Sequence, residues 1–139
     1  MSGTIIPTLR YRDAATMIDW LIRAFGFERH LVVEDGDGGI AHAQLTLGSG
    51  MVMLGSARDD SFGALQSTAQ ALGGVTQSAY IVVSTVDALC EQARAAGAEI
   101  VMEPKDEDYG GRGFSCRDPE GQLWNFGSYD PWRKGAGKG

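Results

Sequence analysis

The chain has little of several residue types, and each shortage excludes a class of protein. Its two cysteines, Cys90 and Cys116, lack the CxxC spacing of zinc or redox sites, so we expect buried thiols rather than a disulfide. Only four prolines occur, and the otherwise ordinary composition excludes collagen-like, mucin-like and largely disordered chains. No run approaches the roughly 18 apolar residues of a membrane span. The N-terminus also lacks the pattern of a secretory signal, so a cytoplasmic location is expected.

Positive charge is also scarce. Twelve lysines and arginines stand against eighteen aspartates and glutamates, which gives a net charge of −6. Because neutralised phosphates supply much of nucleic-acid affinity, an acidic chain without a basic stripe is expected to bind neither nucleic acid nor an anionic membrane. The field of such a protein instead favours a cationic small molecule.

Glycine is abundant, with 20 residues, and it separates two similar series of predicted elements. In the first series, a strand over residues 4–11 precedes a helix that begins after Asp13 and ends at Gly26. In the second, a strand over residues 79–83 precedes a helix that ends at Gly97. Three further strands follow each helix, so the predicted order is strand, helix and three strands, twice.

The two series also share a fixed interval. Gly26 and Gly97 are 71 positions apart, and the same interval separates turn residues such as Gly50 and Gly121. A constant interval with matching element order indicates a duplicated module. The prediction is one domain over residues 1–139, made of a module at 4–55, a linker at 56–77, a module at 78–130 and a flexible tail at 131–139.

This pattern resembles the vicinal oxygen chelate superfamily, which includes glyoxalase I, extradiol dioxygenases, fosfomycin-resistance enzymes and bleomycin-binding proteins. The resemblance covers residues 4–132 and implies an α+β fold in which two βαβββ modules form a cupped mixed sheet. One scaffold supports unrelated reactions in this superfamily, so the resemblance alone implies no particular chemistry. The residues that carry it are 11–13 (YRD), 24–27 (AFGF), 108–112 (DYGGR) and 117–124 (RDPEGQLW).

The metal enzymes of this superfamily carry a ligand on the first and on the last strand of each module. Counting back from the start of each helix gives Ile6 and Tyr80, and the interval of 71 pairs Leu54 with Asn125. The family's ligands at these places would be His, Glu or Gln, whereas isoleucine and leucine cannot coordinate an ion. A shift of one residue in the alignment gives no better set. The resemblance with these departures implies no bound metal and no cofactor.

The same positions are expected to line a ligand cavity instead. Tyr80 offers apolar area and one hydroxyl group, although simple filling of space would explain it equally. His42 and Gln44 alternate on one face of a predicted strand and point into the concave side, unless they form a polar pair bonded to the backbone. No catalytic residue is identified. The predicted ligand-binding residues are Tyr80, Asn125, His42, Gln44, Ile6, Thr8 and Leu54.

Two functions remain open from the sequence. The first is a metal-free small-molecule-binding protein, similar to the bleomycin-binding branch, that sequesters an antibiotic or another small ligand. The alternative is a metal-dependent lyase, isomerase or dioxygenase with unfamiliar ligands, such as His42 with Gln44. A homodimer is expected in either case, because Trp132 beyond the last strand would be an exposed aromatic in a monomer. If the modules pair across two chains, Ile6 and Leu54 of one subunit would face Tyr80 and Asn125 of the other.

Overall fold

A computed structural model describes residues 1–133 of the chain. The chain divides into two compact units, one from Met1 to Gly74 and one that begins at Val75. Each unit contains one four-stranded sheet. The predicted tail at 131–139 falls outside the described residues from position 134 onward.

The first unit has the predicted order of strand, helix and three strands, and a short helix that was not predicted follows within the linker. Strand β1 is shorter than the predicted strand over 4–11: Pro7 has no N–H to donate to a sheet, although its carbonyl accepts from Met53 N at 2.9 Å. The sheet order is β1-β4-β3-β2, with β1 parallel to β4 and the other pairs antiparallel. The elements are β1 (Thr8–Tyr11), α1 (Ala14–Phe25), β2 (Glu28–Glu34), β3 (Ile40–Leu47), β4 (Gly50–Ser56) and α2 (Ala69–Leu72).

The second unit repeats the topology of the first. Its sheet order is β5-β8-β7-β6, and β5 is parallel to β8. Two mixed sheets, each with a helix after its first strand, confirm the predicted α+β fold of two βαβββ modules. The elements are β5 (Ala79–Val82), α3 (Val86–Ala95), β6 (Glu99–Asp106), β7 (Arg112–Arg117) and β8 (Leu123–Gly127).

Local chemistry sets the ends of the first long helix. The Asp13 carboxylate accepts a hydrogen bond from Thr16 N at 3.2 Å, which satisfies one of the unpaired amides of the first turn. Gly26 ends the helix with a left-handed φ of 86°. Gly97 adopts φ of 100° just after α3. Both glycine stops were predicted, and the structure confirms them.

Each sheet buries one face under its own helix. In the first unit Leu45 and Leu54 are buried on the side of α1, and in the second Trp124 and Phe126 are buried. Because side chains alternate along a strand, the residues between these point to the opposite side. We call that side the helix-free face of each sheet. Within residues 1–133, none of the helices has the length and apolar character needed to cross a membrane.

Candidate functional site

Tyr80 and Asn125 are neighbours on the helix-free face of the second sheet. They are direct partners in the parallel pairing of β5 with β8. Tyr80 is 42% exposed, and its hydroxyl donates a hydrogen bond to the Tyr129 carbonyl at 2.7 Å. Gly127 lies beside the tyrosine ring, and a Cβ there would come within 2.5 Å of Tyr80 Oη. A glycine at position 127 therefore makes room for the ring.

Asn125 is fixed by three hydrogen bonds. Its amide nitrogen donates to Ser78 Oγ at 2.8 Å and to the Ala79 carbonyl at 3.0 Å. Its side-chain oxygen accepts from Ser115 Oγ at 2.7 Å. The network orients the amide and connects β5, β7 and β8 at the base of the site.

These residues line a cavity of about 250 Å³ within the second unit. Tyr109 and Tyr129 form one wall, with their rings 5.0 Å apart and at 86° to each other. Neither tyrosine was predicted as a site residue, although Tyr109 lies in the segment 108–112 (DYGGR) and Tyr129 in the segment 128–132 (SYDPW). The sequence could have indicated both, because Tyr109 lies in the turn between β6 and β7 and Tyr129 lies two residues after β8, a strand of the same sheet. The cavity is lined by Tyr80, Met102, Glu103, Lys105, Glu107, Tyr109, Gly110, Arg112, Gly113, Phe114, Ser115, Asn125, Phe126 and Tyr129.

Acidic side chains lie near the tyrosines of this cavity. Burial raises the pKa of Tyr80 above its usual range, and the nearby groups Tyr109, Asp130, Tyr129 and Glu107 add to the effect. Burial and the charge of Glu107 likewise raise the pKa of Tyr109. Both phenols are therefore neutral at physiological pH.

The arginine and one glutamate of the lining are held in ion pairs. Arg112 contacts Asp87 at 3.0 Å and Asp106 at 3.3 Å. Arg94 contacts Glu103 at 2.6 Å, and this hydrogen bond lowers the pKa of the Glu103 carboxyl. Together these pairs contain two positive and three negative charges.

The first unit holds the other predicted site residues. His42 and Gln44 share the helix-free face, as predicted, and Gln44 Nε2 lies 3.0 Å from His42 Nε2. Thr8 is exposed, and its carbonyl accepts from Gln66 Nε2 at 3.0 Å. Ile6 is half-buried, ahead of β1. The predicted residues are thus divided between the two units.

The expected position of Leu54 is corrected by the structure. Leu54 is only 2% exposed and lies on the helix side of its sheet, whereas Met53 points to the helix-free face. The cause is the length of a turn. Leu47 and Gly50 pair around two residues, but the equivalent bond in the second unit, from Asp118 N to Gln122 O, encloses three. The interval between modules is therefore 71 before this turn and 72 after it, so Met53 corresponds to Asn125.

The expected position of Ile6 is also corrected. Thr8 pairs with Met53 as Tyr80 pairs with Asn125. The count went wrong because the helix caps are Asp13 and Thr85 rather than Asp13 and Asp87. Thr8 therefore takes the place that was predicted for Ile6.

The residues at the family's ligand positions do not fit a divalent metal. Thr8 and Tyr80 each offer one neutral hydroxyl group, and the Asn125 oxygen already accepts from Ser115. Met53 offers only a thioether, which suits soft ions. Among residues 1–133, no group of three or more His, Cys, Asp or Glu side chains is placed to hold an ion.

Comparisons with known proteins agree with this architecture. The profile of the Glyoxalase/Bleomycin resistance protein/Dioxygenase superfamily matches residues 5–126. An uncharacterized protein of Mycobacterium bovis is 33% identical over 121 residues, which covers 87% of this chain and 80% of that protein. An uncharacterized protein of Mycobacterium tuberculosis shows the same identity over 87% of this chain and 71% of its own length.

Solved structures show the same fold. TioX from Micromonospora sp. ML1 has a TM-score of 0.70 and 35% identity, covering 91% of this chain and 98% of its own. The fosfomycin resistance protein FosX from Listeria monocytogenes, solved with Mn(II) and a dihydroxypropylphosphonic acid, has a TM-score of 0.69. At 16% identity over 92% of this chain and 90% of its own, FosX is evidence for the fold alone.

Proposed function

Because the chain belongs to the Glyoxalase/Bleomycin resistance protein/Dioxygenase superfamily, we propose that it is a cytoplasmic, metal-free small-molecule-binding protein. In this proposal it sequesters an antibiotic or another small ligand. The observation that supports it is the cavity of the second unit, which combines aromatic walls with a few oriented polar groups. Such a combination is typical of small-ligand sites.

The chemistry of the cavity favours binding over catalysis. A general base that acts at neutral pH needs a pKa near 7, and burial moves the pKa of Tyr80 in the opposite direction. Burial also raises the pKa of both Cys90 and Cys116, so neither thiol is an activated nucleophile. The alternative of a metal-dependent enzyme would need donors that the family's ligand positions do not provide.

The proposal includes a homodimer. Each helix-free face carries large apolar side chains that are exposed in the single chain. They are Leu31 and Val33 in the first unit, and Val82 and Met102 in the second. Apolar patches of this kind mark surfaces that associate. A second copy of the chain would cover them by a two-fold arrangement.

A thermal-shift screen against a library of small molecules tests the binding function. We expect at least one compound to raise the melting temperature of the wild type and to lose most of this effect with Tyr80→Ala. Leu72→Ala is the control, because Leu72 is exposed on α2 in the other unit. A compound that stabilises both variants equally would place binding elsewhere, and a complete absence of stabilising compounds would contradict the function.

Elemental analysis of protein purified without chelator tests the metal-free state. We expect zinc, nickel, iron and manganese well below one ion per chain, because the family's ligand positions lack suitable donors. A content close to one ion per chain that disappears in His42→Ala would favour the metal-dependent alternative instead.

A further inference from the structure

Two hydroxyl groups of the cavity in the second unit, those of Tyr80 and Ser115, offer a ligand only hydrogen-bond acceptors. Tyr80 donates its hydroxyl hydrogen to the Tyr129 carbonyl, and Ser115 donates its hydroxyl hydrogen to Asn125. The Asn125 amide directs its own hydrogens to partners beside strand β5. The oxygens of Tyr80 and Ser115 therefore keep only lone pairs for a ligand. A ligand that pairs with them must supply the donors.

The aromatic groups of the cavity favour the same kind of ligand. Tyr109 and Tyr129 meet edge to face, so the wall forms a corner of two perpendicular rings. Tyr80 lines the same cavity, and Tyr80 and Tyr109 are both substantially exposed. The face of an aromatic ring carries negative potential, which attracts a weakly hydrated cation.

The charges around the tyrosines complete this environment. Glu107 and Asp130 lie close enough to Tyr80 for their carboxylates to act on it electrostatically. Arg112 is occupied by two aspartates. Lys105, the other cation among the described lining residues, has an exposed side chain that can extend into solvent. The whole chain adds to the effect with its net charge of −6.

We propose that this cavity binds an organic cation, namely an alkylated ammonium group carried on a compact planar body. The inference rests on the proposed small-molecule-binding function and names the class of its ligand. Glu107 and the tyrosine faces receive the ammonium group, and a hydroxyl group on the planar body donates to the oxygen of Tyr80 or Ser115. A cavity of about 250 Å³ suits a compound of one ring with short substituents.

A matched pair of probes tests the charge requirement. The cation is (3-hydroxyphenyl)trimethylammonium, and its neutral isostere is 3-tert-butylphenol, which has the same shape without the charge. Titration calorimetry is expected to show binding of the cation at least about tenfold tighter than that of the phenol. Raising the salt concentration should weaken the cation and leave the phenol unchanged, because salt screens only the charged probe.

Variants of the cavity separate its components. Tyr109→Leu should weaken the cation about fivefold, whereas Tyr109→Phe keeps the ring and should retain most of the affinity. Glu107→Gln should weaken the cation and leave the phenol unaffected. Lys105→Ala should leave the affinity for the cation unchanged or raise it, because it removes a repulsive charge.

Two results would overturn the inference. One is equal or tighter binding of the neutral probe, and the other is the absence of binding by both probes at millimolar concentration. The binding function has its own test, since a neutral or anionic compound from the thermal-shift screen that depends on Tyr80 would keep that function. Such a compound would reject only the cationic class.

Discussion

Asp118 organises the last turn of the second unit through a single buried carboxylate. It is 4% exposed. Its Oδ1 accepts from Glu120 N at 2.9 Å and from Gln122 N at 3.0 Å. Its Oδ2 accepts from Trp124 Nε1 at 3.0 Å. One side chain therefore holds the turn in shape and satisfies a buried indole.

Removal of this carboxylate should be costly. We expect Asp118→Ala to lower the free energy of unfolding by about 2–4 kcal/mol, because three donors lose a charged acceptor. Asp118→Asn should cost less, since its oxygen can still accept from the turn amides. Urea denaturation measures both, with the exposed Asp37→Ala as a control near zero. A loss below about 0.5 kcal/mol for the alanine variant would show that water replaces the carboxylate.

The buried thiol of Cys116 should make the free energy of unfolding depend on pH. Burial raises the pKa of Cys116 from 9.0 to about 12 in the folded protein. The folded state thus disfavours a thiolate that the unfolded chain forms readily, so stability from this residue is full below pH 9 and falls as pH rises toward 12. Urea midpoints at pH 8 and pH 10.5 should differ less in Cys116→Ala than in the wild type. Equal differences in the two proteins would contradict the effect.

At the scale of the element, the first helix depends on a glycine for its end. Gly26 has φ of 86°, and a Cβ built there would meet no atom within 4 Å. The cost of a substitution at Gly26 therefore comes from the backbone conformation and not from a clash with neighbouring atoms. The left-handed region costs a residue with a side chain about 1–2 kcal/mol.

We accordingly expect Gly26→Ala to lower the free energy of unfolding by about 1 kcal/mol. Gly74→Ala is the matched control, because a Cβ there also meets no atom within 4 Å but the backbone lies outside the left-handed region. Thermal denaturation should separate the two variants. A similar melting temperature for both would show that α1 ends without need of a left-handed residue.

Turn length is the second feature at this scale. The turn between β3 and β4 has two residues, whereas the equivalent turn between β7 and β8 has three. Counting residues from one module to the other is therefore wrong by one after this turn. A difference of one residue turns a side chain to the other side of a strand. For this reason the prediction placed Leu54 where Met53 lies.

At the scale of the whole molecule, the proposed homodimer makes a direct prediction. Sedimentation at micromolar concentration should give about twice the chain mass of 14.8 kDa. Val82→Lys should shift the equilibrium toward monomer, since it introduces a charge on an exposed apolar position of the helix-free face. Leu72→Lys, on α2, should leave the mass unchanged.

A fluorescence measurement checks the same association. Trp132 is 94% exposed in the single chain, while Trp20 and Trp124 are buried. Dilution that dissociates a dimer contacting Trp132 should increase quenching of tryptophan by iodide. A stable monomer that still binds its ligand would contradict both the dimer and any pocket shared between chains.

The sequence by itself determined the order of strand, helix and three strands in each unit, although it did not predict the short helix α2. The glycine stops at Gly26 and Gly97 follow from residue type and short-range periodicity. Tyr80 and Asn125 lie side by side on one face of the second sheet, in agreement with the alternation of side chains along each strand.

Only the tertiary structure decided what surrounds these two residues. Tyr109 and Tyr129 reach the cavity because a hairpin turn and the segment after β8 return to the same edge of the sheet. The burial of Leu54 depends on the number of residues in one turn. Sequence periodicity specifies which face of a strand a residue lies on. The lengths of the turns and the path of the connecting segments specify which residues lie beside it in the sheet.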